Sequence, residues 1–160
     1  MFCITVISVG KLKEKYYIQA VEEYVKRLGA YCKFQLLELP EHRLPEDPSP
    51  AQIAEGLARE GQLIREKLPK GAWFCVLTPE GKKLSSEGFA KALAEVKTGG
   101  RSSACFLLGS SFGIAPEIKA LADLKLSFSD MTFPHHLARV MLLEQIYRAE
   151  SIQAGSRYHK

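Results

Sequence analysis

The chain has 160 residues, of which 46% are hydrophobic and 25% are charged. These values are ordinary for a globular protein and exclude intrinsic disorder, and the length favours a single domain over residues 1–160. The formal net charge of +4 permits an anionic partner such as nucleic acid but does not require one.

Two features bear on the expected compartment. The four cysteines are widely spaced and form no CxxC pair, and three of them lie in apolar runs, so free buried thiols are expected rather than disulfides or a zinc site. The apolar run from Phe2 to Val9 follows no basic segment and meets three lysines immediately afterwards, which suits neither a signal peptide nor a membrane span. We therefore expect a cytoplasmic protein with no membrane partner and no metal.

Hydrophobic periodicity predicts strands that alternate with helices along the whole chain. β-branched apolar runs predict strands over residues 2–9, 33–39, 73–77, 104–108 and 125–129. Apolar residues at helical spacing, with Ser85 as an N-cap and Pro116 in a first turn, predict helices over about 17–28, 50–68, 86–97, 116–121 and 135–153. The proline-rich stretch 40–50 is the one long loop.

This order predicts an α/β fold. Several predicted strands are continuously apolar, which indicates a mostly parallel, doubly wound sheet with helices on both faces. In such sheets ligands bind at the carboxyl ends of the strands. The loops after the third, fourth and fifth strands are therefore the first places to look for a site.

Two of these loops carry candidate functional groups. The loop 109–113 reads Gly-Ser-Ser-Phe-Gly, which matches neither a dinucleotide fingerprint nor a phosphate-binding loop, and its glycines either admit a ligand or only form a turn. The loop after the fifth strand leads through Pro134 to His135 and His136. These histidines either orient a substrate or fill the first turn of the last helix.

The last helix and the closing residues are candidates for partner contacts. The helix carries apolar residues around more of its circumference than one buried face needs, so a second side is buried either against another subunit or within the monomer. The chain closes with Arg157, Tyr158, His159 and Lys160, which suit phosphate contact and base stacking. A tail of this kind can also be merely solvated.

Several separate stretches, in the same order, resemble the ribosomal large-subunit pseudouridine N3-methyltransferase family of the SPOUT (α/β-knot) class. The resemblance covers essentially the whole chain. Its matching stretches are 9–16, 23–28, 81–88, 126–129, 131–135 and 144–149, together with Arg139, Tyr158 and His159. Several motifs in one order make the resemblance specific, whereas each motif alone is weak.

The resemblance implies a homodimeric enzyme that uses S-adenosylmethionine (SAM) to methylate 23S ribosomal RNA, with a trefoil knot in the carboxyl-terminal half. The residues implied to surround SAM are Leu77, Gly109, Phe128, Ser129, Asp130, Met131, Thr132 and Phe133. It also implies a catalytic role for His135 and Arg139, and RNA binding by Arg157, Tyr158, His159 and Lys160. The family commonly has two consecutive glycines where this chain has Gly109-Ser110, which predicts a less free loop.

Methyl transfer from a sulfonium to an imide nitrogen is an in-line displacement, so the protein must mainly align the reactants and accommodate loss of the N3 proton. His135 is the leading candidate to hold the base or assist deprotonation, because its charge can change near neutral pH. Two other interpretations are a non-enzymatic ribosome- or RNA-binding module that uses the same tail, and a doubly wound enzyme for another nucleotide ligand. SAM binding separates the first interpretation from both.

Overall fold

The computed structural model describes all 160 residues, in which five strands alternate with five helices. The strands are β1 (Cys3–Val9), β2 (Lys33–Leu39), β3 (Trp73–Lys83), β4 (Ser103–Leu108) and β5 (Leu124–Ser127). The helices are α1 (Lys15–Leu28), α2 (Pro50–Lys67), α3 (Ser86–Thr98), α4 (Pro116–Lys119) and α5 (His135–Gln153). The predicted alternation of strands and helices is therefore confirmed.

The five strands form one parallel sheet in the order β2-β1-β4-β3-β5. β1 and β4 lie inside it and pair from Cys3 with Ser103 to Ser8 with Leu108. Since all strands run the same way, the carboxyl ends of β4, β3 and β5 lie side by side at one edge.

Helices cover both faces of this sheet, as the continuously apolar strands predict. α1, α3 and α5 enclose one core, which includes Phe106, and α2 and α4 enclose the other, which includes Leu107. These two neighbours on β4 are fully buried because successive side chains of a strand point to opposite faces.

Local sequence explains where two of the helices begin. Ser49 Oγ accepts a hydrogen bond from the Gln52 N–H (3.1 Å), and the Gln52 side chain accepts one from the Ser49 N–H (2.8 Å). This capping box precedes Pro50, whose fixed φ suits a first helical turn. Ser85 caps α3 by accepting from the Gly88 N–H (3.0 Å), as predicted.

Two further observations concern the apolarity of the helices and the state of the cysteines. None of the five helices has the length and apolarity that crossing a bilayer requires. All four cysteines are free, and Cys32, Cys75 and Cys105 are buried, whereas Cys3 is partly exposed. Burial raises the pKa of the Cys32 and Cys105 thiols to about 12, so both stay protonated near neutral pH.

Three predicted elements have wrong bounds, and five others differ from the structure by one or two residues at one end. β3 continues to Lys83 instead of ending at residue 77, β5 spans Leu124–Ser127 rather than 125–129, and α4 ends at Lys119 rather than residue 121. The continuation of β3 was not predicted because Pro79 and Gly81 are residue types that usually indicate turns. The knot that the resemblance implies stays a prediction.

The extension of β3 is interrupted by a bulge, in which residues 78–81 have no partner in β5. Leu126 of β5 pairs with Leu77 before this interruption and with Lys82 after it. Gly81 lies so close to the β5 backbone that a Cβ would come within 2.6 Å of the carbonyl carbon of Leu126. Only glycine fits at this position without a shift of the backbone.

Candidate functional site

The sheet brings the three predicted loops together. Leu77 of β3 pairs with Leu108 of β4 on one side and with Leu126 of β5 on the other. Gly109 directly follows Leu108, and Phe128 lies two residues after Leu126. The residues implied to surround SAM therefore share one edge of the sheet.

The loop after β4 is a tight turn that closes on itself. The Gly113 N–H donates to the Ser110 carbonyl (2.9 Å), and Gly113 has a φ of 99°. A Cβ on Gly109 would lie 2.4 Å from the Gly113 carbonyl oxygen and 2.6 Å from Ile114 Cγ1. Glycine at 109 is thus required by the packing of the loop itself, before any ligand is considered.

Ser110, which stands where the resembled family commonly has a second glycine, is fastened to the helix behind the loop. Its Oγ donates to Glu60 Oε1 of α2 (2.8 Å), and Glu60 Oε2 accepts from the backbone N–H of His42 (2.9 Å). Ser110 is 8% exposed and Glu60 is 5% exposed. The loop after β4 is thereby braced against α2 and the loop after β2, which agrees with the predicted loss of freedom.

The loop after β5 is held by shorter-range contacts and is open in the middle. Ser127 Oγ donates to the Ser129 carbonyl (3.1 Å), and Ser129 Oγ accepts from the Met131 N–H (3.0 Å). Asp130 forms an ion pair with Lys83 at the end of β3. Met131 is 76% exposed, so the middle of this predicted segment faces solvent.

The interruption in β3 is tied to α4 through one carboxylate. Glu80 accepts hydrogen bonds from Lys119 Nζ (2.6 Å) and from the Thr78 hydroxyl. These two donors lower the pKa of Glu80 to about 2. The interruption in β3 is therefore connected to α4, the helix that follows the loop after β4.

The paired histidines begin α5 at the same edge of the sheet. The two rings are 4.3 Å apart, and His136 Nδ1 lies 3.1 Å from Glu14 Oε2. Burial, assisted by the neighbouring His136, lowers the pKa of His135 below its usual value of 6.5. His135 is therefore mostly neutral at pH 7, the form of imidazole that accepts a proton.

Arg139 lies one turn further along α5 and is enclosed by the fold. Its guanidinium donates to Glu38 Oε2 of β2 (2.6 Å) and to the Gly10 carbonyl after β1 (2.9 Å). With 1% of its surface exposed, it is closed to the direct contact with a substrate that a catalytic role requires. Instead it fastens the start of α5 to the ends of β1 and β2.

The closing residues fold back onto α5 and α3. Tyr158 stacks on Tyr147 with ring centroids 4.8 Å apart, and the Arg148 guanidinium lies over the Tyr158 ring, 4.8 Å from its centroid. His159 contacts Glu87 through Nε2 (2.8 Å) and Arg148 through Nδ1 (3.0 Å). Of the four predicted RNA-binding residues, Arg157 and Lys160 are exposed, whereas Tyr158 and His159 are partly covered.

A cavity of about 270 Å³ lies between the end of β5 and the helices α3 and α5. Its lining residues are Leu84, Ser85, Ser86, Phe89, Leu126, Ser127, Phe128, Met141, Glu144 and Gln145. Phe128 is the one residue of the predicted SAM set among them, and the Tyr158 hydroxyl is 3.4 Å from Glu144 Oε2. The cavity therefore lies between the predicted cofactor loop and the tail.

Sequence reasoning missed the contribution of the amino-terminal half. Glu38 and Glu60 are the carboxylates that hold Arg139 and Ser110, respectively. Nothing in the helical pattern around Glu60 distinguishes it from the exposed charges of α2. Glu38 is a charged residue in the apolar end of β2. This is the only sequence feature that points to a role for Glu38 or Glu60.

Comparison with known proteins identifies the family of this chain. A family model described as "Predicted SPOUT methyltransferase" matches residues 2–159. The chain belongs to the SPOUT methyltransferase family. A SPOUT relative from Ligilactobacillus salivarius, named ribosomal RNA large subunit methyltransferase H, is 46% identical over 157 residues, which cover 98% of this chain and 99% of the relative. A relative of the same name from Moorella thermoacetica is 43% identical over 100% of both chains.

Solved structures show the same fold at low sequence identity. A probable methylase family protein from Haemophilus influenzae matches with a TM-score of 0.57 and 11% identity, over 99% of this chain and 70% of that one. The tRNA (m1G37) methyltransferase from Aquifex aeolicus matches with a TM-score of 0.54 and 13% identity, over 92% and 69% of the two chains. These similarities show that the chain shares its fold with both structures.

Proposed function

We propose that this SPOUT methyltransferase transfers a methyl group from SAM to N3 of a pseudouridine in large-subunit ribosomal RNA, acting on the assembled ribosome. The observation that carries the proposal is full-length identity of 43–46% to relatives named as ribosomal RNA large subunit methyltransferases. Family membership supports SAM as the methyl donor. The choice of pseudouridine N3 depends on the motif resemblance, above all on the loop after β5 and the tail.

The residues proposed to hold SAM belong to the three loops at the carboxyl edge of β4, β3 and β5. Leu77 and Phe128 offer apolar surface, and the turns at Gly109 and Ser129 present backbone groups beside them. Such a mixture suits a ligand with an aromatic base and polar tails. When bound, SAM supplies a methyl group activated by a positively charged sulfur.

His135 is proposed as the residue that receives the N3 proton or holds the base. It lies at the start of α5, beside the loop proposed to bind SAM, and its lowered pKa keeps the imidazole neutral. Arg139 acts on it indirectly, because its bonds to Glu38 and Gly10 fix the first turn of α5. We therefore assign Arg139 a positioning role.

The remaining parts of the proposal concern the RNA and the assembly. Arg157 and Lys160 are free to contact phosphate, and Tyr158 and His159 can exchange their contacts on α5 and α3 for a base. Apolar residues on α5 that are only partly covered, such as Val140 and Tyr147, support a homodimer. We place this dimer, with residues 1–160 as one domain per subunit, in the cytoplasm with its ribosomal substrate.

Mass spectrometry of ribosomal RNA nucleosides tests the proposal. Cells that lack this chain should lose one N3-methylated pseudouridine, and a plasmid copy of the wild-type gene should restore it. A copy with His135→Ala should restore little or none, since the base is then not held or deprotonated. An unchanged nucleoside profile in the deletion strain would contradict the proposal and favour a ribosome-binding module.

A further inference from the structure

Glu60 is a buried carboxylate whose hydrogen-bond partners carry no charge. It lies on α2 with 5% of its surface exposed. One oxygen accepts from the Ser110 hydroxyl (2.8 Å) and the other from the His42 backbone N–H (2.9 Å). Both donors stabilise the ionised carboxylate, but neither neutralises its charge.

The nearest charged groups do not form a salt bridge with Glu60. Burial raises the pKa of Glu60 and its two hydrogen bonds lower it, while the nearby Glu41 carboxylate raises it and the His42 side chain, the smallest of these causes, lowers it. Glu41 Oε1 itself accepts from the Ser111 N–H (3.3 Å), so a second carboxylate contacts the same loop. A buried charge is normally matched by a cation, because burial without a counter-charge is costly.

The position of this carboxylate indicates what that cation is. Ser110 directly follows Gly109, so Glu60 lies immediately behind the loop proposed to hold SAM. The sulfur of SAM is positively charged. In the proposed transfer the acceptor N3 loses its proton and forms a bond to the methyl carbon, while the bond from sulfur to that carbon breaks and its electron pair stays on sulfur. The sulfur of the product, S-adenosylhomocysteine (SAH), would therefore be a neutral thioether.

We infer that Glu60 makes the cofactor site discriminate between the cationic methyl donor and its neutral product. The inference rests on the proposed function, because it requires SAM in the loop after β4. In a buried, weakly screened setting the attraction between carboxylate and sulfonium persists over several ångströms, so Glu60 needs no contact with the ligand. Once the methyl group has left, this attraction ends and the product is held less tightly.

Calorimetric affinities for SAM and for SAH, measured with the same proteins, test this role. Glu60→Gln keeps the shape: its amide oxygen can accept from His42 N–H, and its NH₂ can donate to the Ser110 hydroxyl. We expect Glu60→Gln to weaken SAM binding about five- to tenfold and to leave SAH binding unchanged, as loss of a purely electrostatic attraction requires. Glu66→Gln, the same charge change at an exposed position of α2, should alter neither affinity.

Comparing the affinities for SAM and SAH distinguishes an electrostatic role of Glu60 from a purely structural one. If Glu60→Gln weakens SAM and SAH binding equally, Glu60 only braces the loop. If neither affinity changes, the charge of Glu60 does not contribute to binding. Either result overturns the inference. If the wild-type protein binds neither ligand, the proposed cofactor itself is wrong. Should Glu60→Gln not fold, Glu60→Met combined with Ser110→Ala removes the charge together with the hydroxyl that would lose its partner.

Discussion

Gly109 has room for a hydrogen atom and nothing larger. A methyl group there would meet the Gly113 carbonyl oxygen at 2.4 Å, so Gly109→Ala must displace the turn 109–113. We expect a loss of about 1–3 kcal/mol in the free energy of unfolding, together with weakened SAM binding. Urea unfolding and calorimetry measure the two effects on the same preparation.

Gly29→Ala is the matched control for this substitution. Gly29 has an ordinary φ of −58°, its nearest atom to an added Cβ is at 3.3 Å, and it ends α1 away from the three loops. It should bind SAM like the wild type. Normal SAM affinity in a folded Gly109→Ala protein would remove the loop after β4 from the cofactor site.

The sequence predicts which residues lie close together where their proximity depends only on following parallel strands to the same edge of the sheet. Leu77, Gly109 and Phe128 follow strands that end at one edge, so any parallel arrangement of β3, β4 and β5 as neighbours brings them together. Burial of charged side chains is different, because it depends on which helix lies behind a loop. The sequence therefore suggested a catalytic role for Arg139, which is buried, and gave no sign of the role of Glu60.

At the scale of elements, Glu80 makes the link between the β3 interruption and α4 sensitive to acid. Its pKa is lowered from 4.5 to about 2, so its contribution to stability is complete above pH 4.5 and is lost as the pH falls towards 2. Lys119→Met should raise this pKa towards 4.5, because it removes the largest cause of the shift. Carboxyl NMR titration of Glu80 gives the pKa directly.

Unfolding measurements across the same pH range complete the test of this link. In Lys119→Met, stability should fall less between pH 4.5 and pH 2 than in the wild type, since less of it depends on ionised Glu80. Lys70→Met, a change at an exposed lysine after α2, should leave the acid profile as it is. A Glu80 pKa that stays near 2 without Lys119 would assign the shift to Thr78 and the backbone.

The tail is an element whose function can be separated from cofactor binding. Deleting residues 155–160 removes the stack on Tyr147 and the cationic groups, but leaves β3, β4 and β5 intact. Base stacking contributes roughly 1–3 kcal/mol per base, so methylation of ribosomes should fall by several powers of ten with the phosphate contacts gone as well. SAM affinity should stay nearly unchanged.

Two outcomes of this deletion would contradict that division of roles. Methylation at the full rate would mean that the tail is solvated surface. Loss of SAM affinity would mean that the tail supports the cofactor site. The contact of Tyr158 with Glu144, which lines the cavity, makes this a specific alternative. Circular dichroism and light scattering should accompany both measurements, to show that fold and assembly persist.

At the scale of the whole molecule, the partly covered apolar residues of α5 predict a homodimer. Light scattering at micromolar concentration should give about twice the chain mass of 17.8 kDa. Val140→Glu should shift the protein towards monomer, because a charge then enters the interface. Leu121→Glu should leave the dimer unchanged, because Leu121 is 45% exposed and follows α4 on the opposite face of the sheet. A monomeric wild-type protein would exclude the interface altogether.

The overall architecture was largely predictable because periodicity and apolar runs determine it. β2 and α5 begin and end at the predicted residues, and the parallel sheet with two covered faces follows from apolar strands such as β4. The order of the strands was not predictable, because no feature of the β1 sequence indicates that β4 is its neighbour. The continuation of β3 past Pro79 was missed for the same reason, because β5 supplies the pairing that keeps it extended.

The pairing of β1 with β4 also governs how the chain can fold. The two strands pair along residues about 100 positions apart, and β1 is one of the most apolar segments of the chain. During synthesis β1 therefore has only β2 as a neighbour until β4 has been made, and one of its edges stays open to other chains. Folding should be slow for a protein of this size, and growing chains that stop before β4 should depend on chaperones to avoid aggregation.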